Sequence, residues 1–371
     1  MKGETMTNIP KTMKAFVLEG HGGFEKLVYH TDWPTPEPGS TDVLIRVEAC
    51  GLNNTDVNTR SGWYSKTVTE ATTGGAYTEV SDEDPTWGGA PISFPRIQGA
   101  DAVGTVVAVG AEADASLLGK RVMSDGWLRD YDDPTNYDKT GYFGSECDGG
   151  FADYTIRDYR GVLPVKSDLS SAELATFSCS YTTAENMLNR SHVSAEDTVL
   201  VTGASGGVGS ALIQLIKRRG AKVVALASEA KHADMAVLGA DYLLPRSPAD
   251  LKGALKAATG RDRVSVAMDV VGGDYFGTVI DALERGGRYS CSGAIAGPLV
   301  ELDLRTHYLC DLTLNGCTVT SLNVFPDLVS YIEGGEIKPL LAASYLLSEL
   351  HAAQQAFIDK KHVGNIAVTM G

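Results

Sequence analysis

The chain has 371 residues and a mass of 39.3 kDa, which at roughly one domain per 150 residues implies two domains. An apolar fraction of 43% and a charged fraction of 21% belong to an ordinary folded globule and exclude a disordered chain. Lys+Arg 32 against Asp+Glu 47 leaves a net charge of −15, which argues against a nucleic-acid backbone or an anionic membrane surface as partner.

At the N-terminus, residues 1–13 are polar and lack the apolar core of a signal peptide. They read either as a leader or as residues ahead of a start near Met13. Lys14–Leu18 is the first strand-like run. From there to about Lys166 the chain reads as short β runs broken by Gly, Pro and Asp, clearest in Val43–Ala49 and Gly104–Val109, both rich in β-branched residues. Two long acidic loops interrupt this part. Residues 65–95 carry Glu70, Glu79, Asp82, Glu83 and Asp84 against Lys66. Residues 124–148 carry Asp125, Asp130, Asp132, Asp133, Asp138, Glu146 and Asp148 against Arg129 and Lys139. Loops of this length are uncommon unless functional, so 65–95 is read as a possible lid, with a solvated insertion as the alternative.

After about Ser180 strands alternate with amphipathic helices. Thr198–Val201 leads into a helix over Val208–Arg219, with Val208, Leu212, Leu215 and Ile216 on one face. Lys222–Ala227 is a strand and Lys231–Leu238 a helix. Val264–Met268, Tyr275–Leu283 and Arg288–Cys291 continue the pattern, which implies βαβ units and a parallel sheet. Beyond about Thr320 come two helical stretches and a final strand, His362–Met370, too short for a core of their own and expected to rejoin the first domain. No run reaches the roughly 18 apolar residues of a membrane helix. Cys50, Cys147, Cys179, Cys291, Cys310 and Cys317 show no paired spacing, as expected of a reduced cytoplasmic enzyme.

Gly203-Ala204-Ser205-Gly206-Gly207-Val208-Gly209 follows a strand and opens a helix, the context in which glycines let backbone N–H groups approach a pyrophosphate at a helix N-terminus. Ala204 stands where the dinucleotide fingerprint has its first glycine, and Gly206 and Gly209 fill the other two places. The next strand ends in Ala227-Ser228 with no carboxylate on its tip, where an NAD site places an acid for the ribose 2′-hydroxyl. Glu229 is adjacent. Ser228, Lys231 and Arg246 are candidates for a 2′-phosphate, which favours NADP(H).

In order along the chain, these segments resemble the medium-chain dehydrogenase/reductase superfamily, and within it the zinc-free quinone oxidoreductases. Gly51–Asp56 with Arg60–Tyr64 looks like that family's active-site stretch. Gly99–Gly104, Gly149–Tyr154, Asp269–Gly273 and His362–Ile366 resemble further landmarks, although the family often has Lys where Asn365 stands. The resemblance implies an α/β fold, a Rossmann doubly wound parallel sheet inserted in a GroES-like, mainly β catalytic domain. The catalytic domain would comprise 1–179 and 322–371, and the NADP-binding domain 180–321. Thr183, expected at a helix start after Cys179, resembles the family's threonine beside the nicotinamide. Val271, and Gly293 and Ala294 within the loop Ser292–Ala296, resemble residues under and beside the ring, and Asn365 is grouped with them.

Zinc-type alcohol dehydrogenases of the superfamily hold a catalytic metal with Cys, His and Cys. The matching positions look like Asn53, Ala100 and Cys179, and one thiolate cannot replace three ligands. The structural zinc lobe needs four cysteines, and the stretch 124–150 has only Cys147. No metal is expected, and Cys179 is read as a small packed residue. Without a Lewis acid, reduction of an already electrophilic carbonyl is easier than alcohol oxidation. The expected activity is hydride transfer from NADPH to a quinone or an α,β-unsaturated carbonyl. Asn53 is read as an amide donor to substrate or nicotinamide, Tyr64 as a hydrogen-bond or proton donor to the carbonyl, and Asp56 as a partner of Arg60. A lining role for Tyr64 and a structural one for Asp56 are the plainer readings. The alternatives are a metal-free alcohol/aldehyde dehydrogenase and a non-catalytic NADPH-binding protein. The acidic loops would disfavour strongly anionic substrates. The family implies a homodimer, joined by edge strands near Leu312–Leu314 and Gly316–Thr320.

Overall fold

The structure is a computed structural model that describes residues 8–77, 80, 81, 83, 84 and 90–371, and the strands and bonds counted below are those of the described residues. Glu79 and Asp82 of the first acidic loop lie outside them. The chain divides into two compact units. One comprises Met1–Val68, Thr73–Cys179 and Phe325–Gly371, the other Thr69–Thr72 and Ser180–Val324.

The first unit is built on strand Asp42–Gly51, whose apolar residues Val43, Leu44, Ile45 and Val47 are buried. It pairs antiparallel with Asp101–Val109 on one side and with Asn365–Thr369 on the other, while Tyr154–Asp158 pairs with its first half. Arg121–Ser124 and Val162–Pro164 extend one flank. Leu341–Leu346 closes the other, parallel to Asn365–Thr369. A smaller sheet joins Thr12–Leu18, Leu27–Pro34 and Arg96–Ile97. One apolar cluster unites Phe16, Leu18, Leu52, Phe151, Leu350, Phe357 and Ile366. Residues from both ends of the chain thus share a core, and each such buried Leu or Phe contributes about 1.5–3 kcal/mol.

The second unit is a six-stranded parallel sheet. Its strands run in the order Tyr242–Leu244, Lys222–Leu226, Thr198–Val201, Val264–Asp269, Leu283–Cys291 and Thr313–Gly316. Val199, Leu200, Val201, Val224, Leu226, Val266 and Ala267 are fully buried, as expected of strands covered on both faces. Helix Gly207–Arg218 lays Leu212, Leu215 and Ile216 against it. The order reverses between Thr198–Val201 and Val264–Asp269, the switch point where open α/β sheets bind ligands at their carboxyl ends.

Two elements differ from the sequence reading. The helix expected over Tyr275–Leu283 ends at Asp281. Val264 N donates to Ala282 O, and Leu283, wholly buried, pairs with Val264 as the start of the next strand, so sheet pairing overrides helical periodicity. Leu341–Leu346 is a strand that was not anticipated. Its Leu-Ala-Ala-Ser-Tyr-Leu sequence contains good helix formers, and its conformation comes from the edge it docks on.

Candidate active site

In the first unit, helix Asn54–Ser61 begins directly after Gly51-Leu52-Asn53. Asn53 N donates to Asp56 Oδ2 at 2.7 Å, which fixes the first turn and turns Asn53 toward the strand Asp101–Val109. Asn53 Nδ2 then donates to Asp101 Oδ2 at 3.1 Å, and Cys179 N donates to Asp101 Oδ1 at 2.9 Å. The Asp101 carboxyl is the hub of this group, and the sequence reading did not include it. Burial pushes its pKa up to about 7, against the opposing pull of Asn53 and the Cys179 N–H. Burial pushes Asp56 up to about 8, the Asn53 N–H lowers it, and the charge of Asp101 adds to the rise. Two neighbouring buried carboxyls resist being charged together.

Tyr64 is half-buried in the same unit. Burial raises its hydroxyl, while the side chains of Thr55 and Asn58 stabilise the phenolate and Cys179 lies close enough to act on it electrostatically. Arg60 does not pair with Asp56. Its guanidinium donates to Gln354 Oε1, Gly22 O and Gly74 O, and lies 4.5 Å from the Phe24 ring centroid. Arg60 is wholly buried and held by carbonyls, whereas Asp56 is occupied at the helix start. Cys179 is half-exposed, not a closed packing residue.

The donors here do not fit a catalytic zinc. An amide at 53, a methyl at 100 and a thiol at 179 offer one soft ligand, and Asp101 is already bonded to two donors. Among the described residues, no group of three His, Cys, Asp or Glu is arranged to hold a metal ion. The lobe at 124–148 is organised instead by Arg157, whose guanidinium donates to Ser124 Oγ, Asp125 O and Trp127 O and sits 4.8 Å from the Phe143 ring centroid. Asp125 pairs with Arg129 and Asp130 with Lys139, so part of the acidic charge is spent inside the lobe. Trp127–Leu128 and Gly141–Tyr142 form a two-stranded ribbon that brings Tyr142 beside Cys179, a second residue the sequence reading missed.

Most of the expected cofactor residues lie at the carboxyl ends of strands in the second unit, Thr183 and Asn365 being the exceptions. The loop Gly203–Gly209 follows Thr198–Val201, with Gly206 as N-cap of helix Gly207–Arg218. A Cβ on Gly209 would lie 2.3 Å from Gly203 O, so only glycine allows the helix this close to the loop. Ala204 is buried, Ser205 and Val208 are half-buried, and Gly206 is exposed. These residues fit a pyrophosphate, with free backbone space at Gly206, where a Cβ would meet nothing closer than 3.5 Å.

Ser228, Lys231 and Arg246 follow the next two strands. Burial holds Lys231 below the ordinary lysine value, and the nearby charge of Arg246 adds to that. Two cations are thus kept close together, and a phosphate dianion would relieve their repulsion. Glu229 is exposed. His232 Nε2 lies 3.1 Å from Ala227 O and 3.2 Å from Leu244 O, so its N–H ties the two strand ends that carry these residues. Beyond the switch point Asp269 accepts from Thr202 Oγ1, Val271 N, Gly272 N and Tyr289 Oη, fixing the turn that presents Val271. Ala296 N donates to Val271 O, which sets the loop bearing Gly293 and Ala294 against that turn.

Thr183 lies in the second turn of helix Ser178–Arg190, not at its start, because the helix already begins at Ser178. Asn365 is buried in the other unit, where it opens strand Asn365–Thr369. Of the first acidic loop, Thr69–Thr72 groups with the second unit, and Thr72 N donates to Ile295 O.

Residues 39–167 match the family described as Alcohol dehydrogenase GroES-like domain, and residues 207–334 the family described as Zinc-binding dehydrogenase. A putative alcohol dehydrogenase from Sinorhizobium meliloti 1021, of known crystal structure, is 44% identical, with 97% of each chain covered and a TM-score of 0.88. The NAD-dependent alcohol dehydrogenase of Sulfolobus acidocaldarius is 26% identical over 355 residues, 92% of this chain and 95% of that protein. The quinone oxidoreductase of Pongo abelii is 25% identical over 356 residues, 94% of each. The chain belongs to the medium-chain dehydrogenase/reductase superfamily, as an oxidoreductase with a GroES-like domain and a Rossmann-type domain for a nicotinamide dinucleotide.

Proposed function

We propose that the chain is an NADPH-dependent, zinc-independent reductase of quinones or α,β-unsaturated carbonyls. The observation that carries this reading is the Asn53–Asp101–Cys179 group, in which the Asn53 side-chain amide and the Cys179 backbone N–H both donate to the Asp101 carboxyl, at positions that the resemblance aligns with the ligands of zinc-type enzymes. Such a group offers hydrogen bonds but no Lewis acid, and a conjugated acceptor needs none to take a hydride. The quinone oxidoreductase among the relatives agrees with this substrate class.

When bound, NADPH supplies a hydride from its nicotinamide ring. The backbone of Ala204, Ser205, Gly206, Gly207, Val208 and Gly209 holds the pyrophosphate. Ser228, Lys231 and Arg246 hold the 2′-phosphate. Thr183, Val271, Gly293, Ala294 and Asn365 serve the nicotinamide end. On the substrate side, Tyr64 donates to the carbonyl oxygen, Asn53 offers its remaining amide hydrogen, and Asp56 positions Asn53 through the helix start. The catalytic domain comprises 1–179 and 322–371 and the cofactor domain 180–321. The six free cysteines suit the cytoplasm. A homodimer forms at the edge strand Thr313–Gly316, beside the exposed Leu304, Tyr308 and Leu309.

The test is NADPH oxidation against 1,4-naphthoquinone and trans-2-hexenal before and after dialysis with a chelator. Turnover should persist within about twofold, since among the described residues no three His, Cys, Asp or Glu are grouped to hold a metal ion. Activity that vanishes and returns with zinc would contradict the reading. A second reading, a metal-free alcohol/aldehyde dehydrogenase, is favoured by the printed name of the 44% identical relative. Oxidation of simple alcohols with NADP⁺ after the same dialysis distinguishes it.

A further inference from the structure

We propose that His232 is a positioning residue for the adenosine 2′-phosphate: its ring N–H locks two strand ends together, and the preference for NADPH over NADH depends on that lock. The inference rests on the reading that Ser228, Lys231 and Arg246 hold the 2′-phosphate. Strand Tyr242–Leu244 is three residues long and stands at the end of its sheet, next to Lys222–Leu226. The parallel register sets Leu226 opposite Leu244, and a further backbone bond runs from Ala227 N to Leu244 O at 3.2 Å. Two residues on from that pair stand Ser228 on one chain and Arg246 on the other. There the chains part. Ser228 opens the turn Glu229–Lys231, in which Lys231 N donates to Ser228 O at 2.9 Å, while residues 245–250 form a loop. Pro245, Arg246 and Ser247 are exposed, and a loop leaving so short an edge strand is held weakly by the ladder alone.

His232 opens helix His232–Val237, and its Nε2 lies 3.1 Å from Ala227 O and 3.2 Å from Leu244 O. Both oxygens are carbonyls and can only accept, so Nε2 carries the proton and shares it between them. One hydrogen thus bridges the two chains where they part, one residue before Ser228 and two before Arg246. The far side of the loop is held by Tyr275 Oη, which donates to Pro248 O at 2.9 Å. Arg246 therefore lies on a short segment between two anchored carbonyls, and Lys231 is the direct neighbour of the locking ring. Burial first, and then the charge of Arg246, holds Lys231 below the ordinary lysine value, so the lock keeps the two cations close against their repulsion. A phosphate dianion offsets that repulsion, whereas a ribose hydroxyl does not. The pyrophosphate loop Gly203–Gly209 follows a different strand, Thr198–Val201, so it stays in place when the lock is lost.

The experiment is titration of the full-length protein with NADPH and with NADH. His232→Phe keeps an aromatic ring and removes the N–H. It should bind NADPH about tenfold more weakly and NADH within about twofold of the unaltered protein. His232→Gln, whose side-chain amide replaces the Nε2–H donor, should recover NADPH binding to within about threefold. In the Arg246→Ala background, His232→Phe should cost no more than about a further twofold, because the group it positions is gone. Unaltered NADPH affinity in His232→Phe, an equal loss of NADH and NADPH, His232→Gln as weak as His232→Phe, or a further loss of about tenfold on top of Arg246→Ala would each overturn the proposal. Unaltered protein that binds NADH as tightly as NADPH would sink the underlying reading and this inference with it, whereas a preference for NADPH that survives His232→Phe sinks this inference alone.

Discussion

Asp56 and Asp101 hold protons that carboxyls in an unfolded chain release. Both are raised by burial, from 3.8 to about 8 and about 7. Between pH 4 and pH 7–8 the native state therefore binds more protons than the unfolded state, and stability falls as pH rises through that window. The slope is about 1.4 kcal/mol per pH unit for each proton so retained. Thermal melts should show Tm declining from pH 5 to pH 8, and Asp101→Asn, which keeps the shape without the charge, should flatten the decline. A melting temperature that climbs over that interval, or an unaltered slope in Asp101→Asn, would contradict the assignment. Asn53, Asp56 and Tyr64 are visible in the sequence because they sit in one short run. Asp101 and Tyr142 are not, since their partners lie far along the chain, 48 residues between Asn53 and Asp101 and 78 between Asp101 and Cys179. His232 reads as one residue of a surface helix until two strand ends are seen to converge on it.

Among the elements, the glycine loop and its helix are legible because chemistry and periodicity coincide there. Gly209 must be glycine, and Gly209→Val should abolish dinucleotide binding, read by quenching of NADPH fluorescence, since the added Cβ would meet Gly203 O at 2.3 Å. The lobe at 124–148 was legible only as an acidic insertion. Its order depends on Arg157, a residue outside the lobe that meets it through the strand Tyr154–Asp158. Arg157→Ala should strip two backbone carbonyls of their donor and cost about 2–3 kcal/mol, seen as a lower Tm and faster proteolysis within 124–148. Cleavage and Tm equal to those of the unaltered protein would show that the lobe stands without it. The strand Leu341–Leu346 was missed for a related reason: its conformation is imposed by the neighbour it pairs with, not by its own residues.

For the whole molecule, the alternation of strands and helices after Ser180 and the β-rich start were enough to fix the fold class, and the return of the last 50 or so residues is explained by the core that Leu350, Phe357 and Ile366 share with Phe16 and Phe151. The proposed homodimer predicts a light-scattering mass of twice 39.3 kDa, with Leu304→Asp shifting it toward the monomer. A monomer of 39.3 kDa at all concentrations would remove it. The central claim is that a carboxylate-poor strand tip and the paired cations Lys231 and Arg246 select the phosphorylated cofactor. Calorimetric titration of the protein with NADPH and with NADH tests it most directly. Tighter binding of NADPH by about 100-fold, reduced to near parity in the Lys231→Ala/Arg246→Ala variant, is the predicted result, each charge-assisted contact being worth about 1.5–3 kcal/mol. NADH bound as tightly as NADPH, or more so, would contradict it.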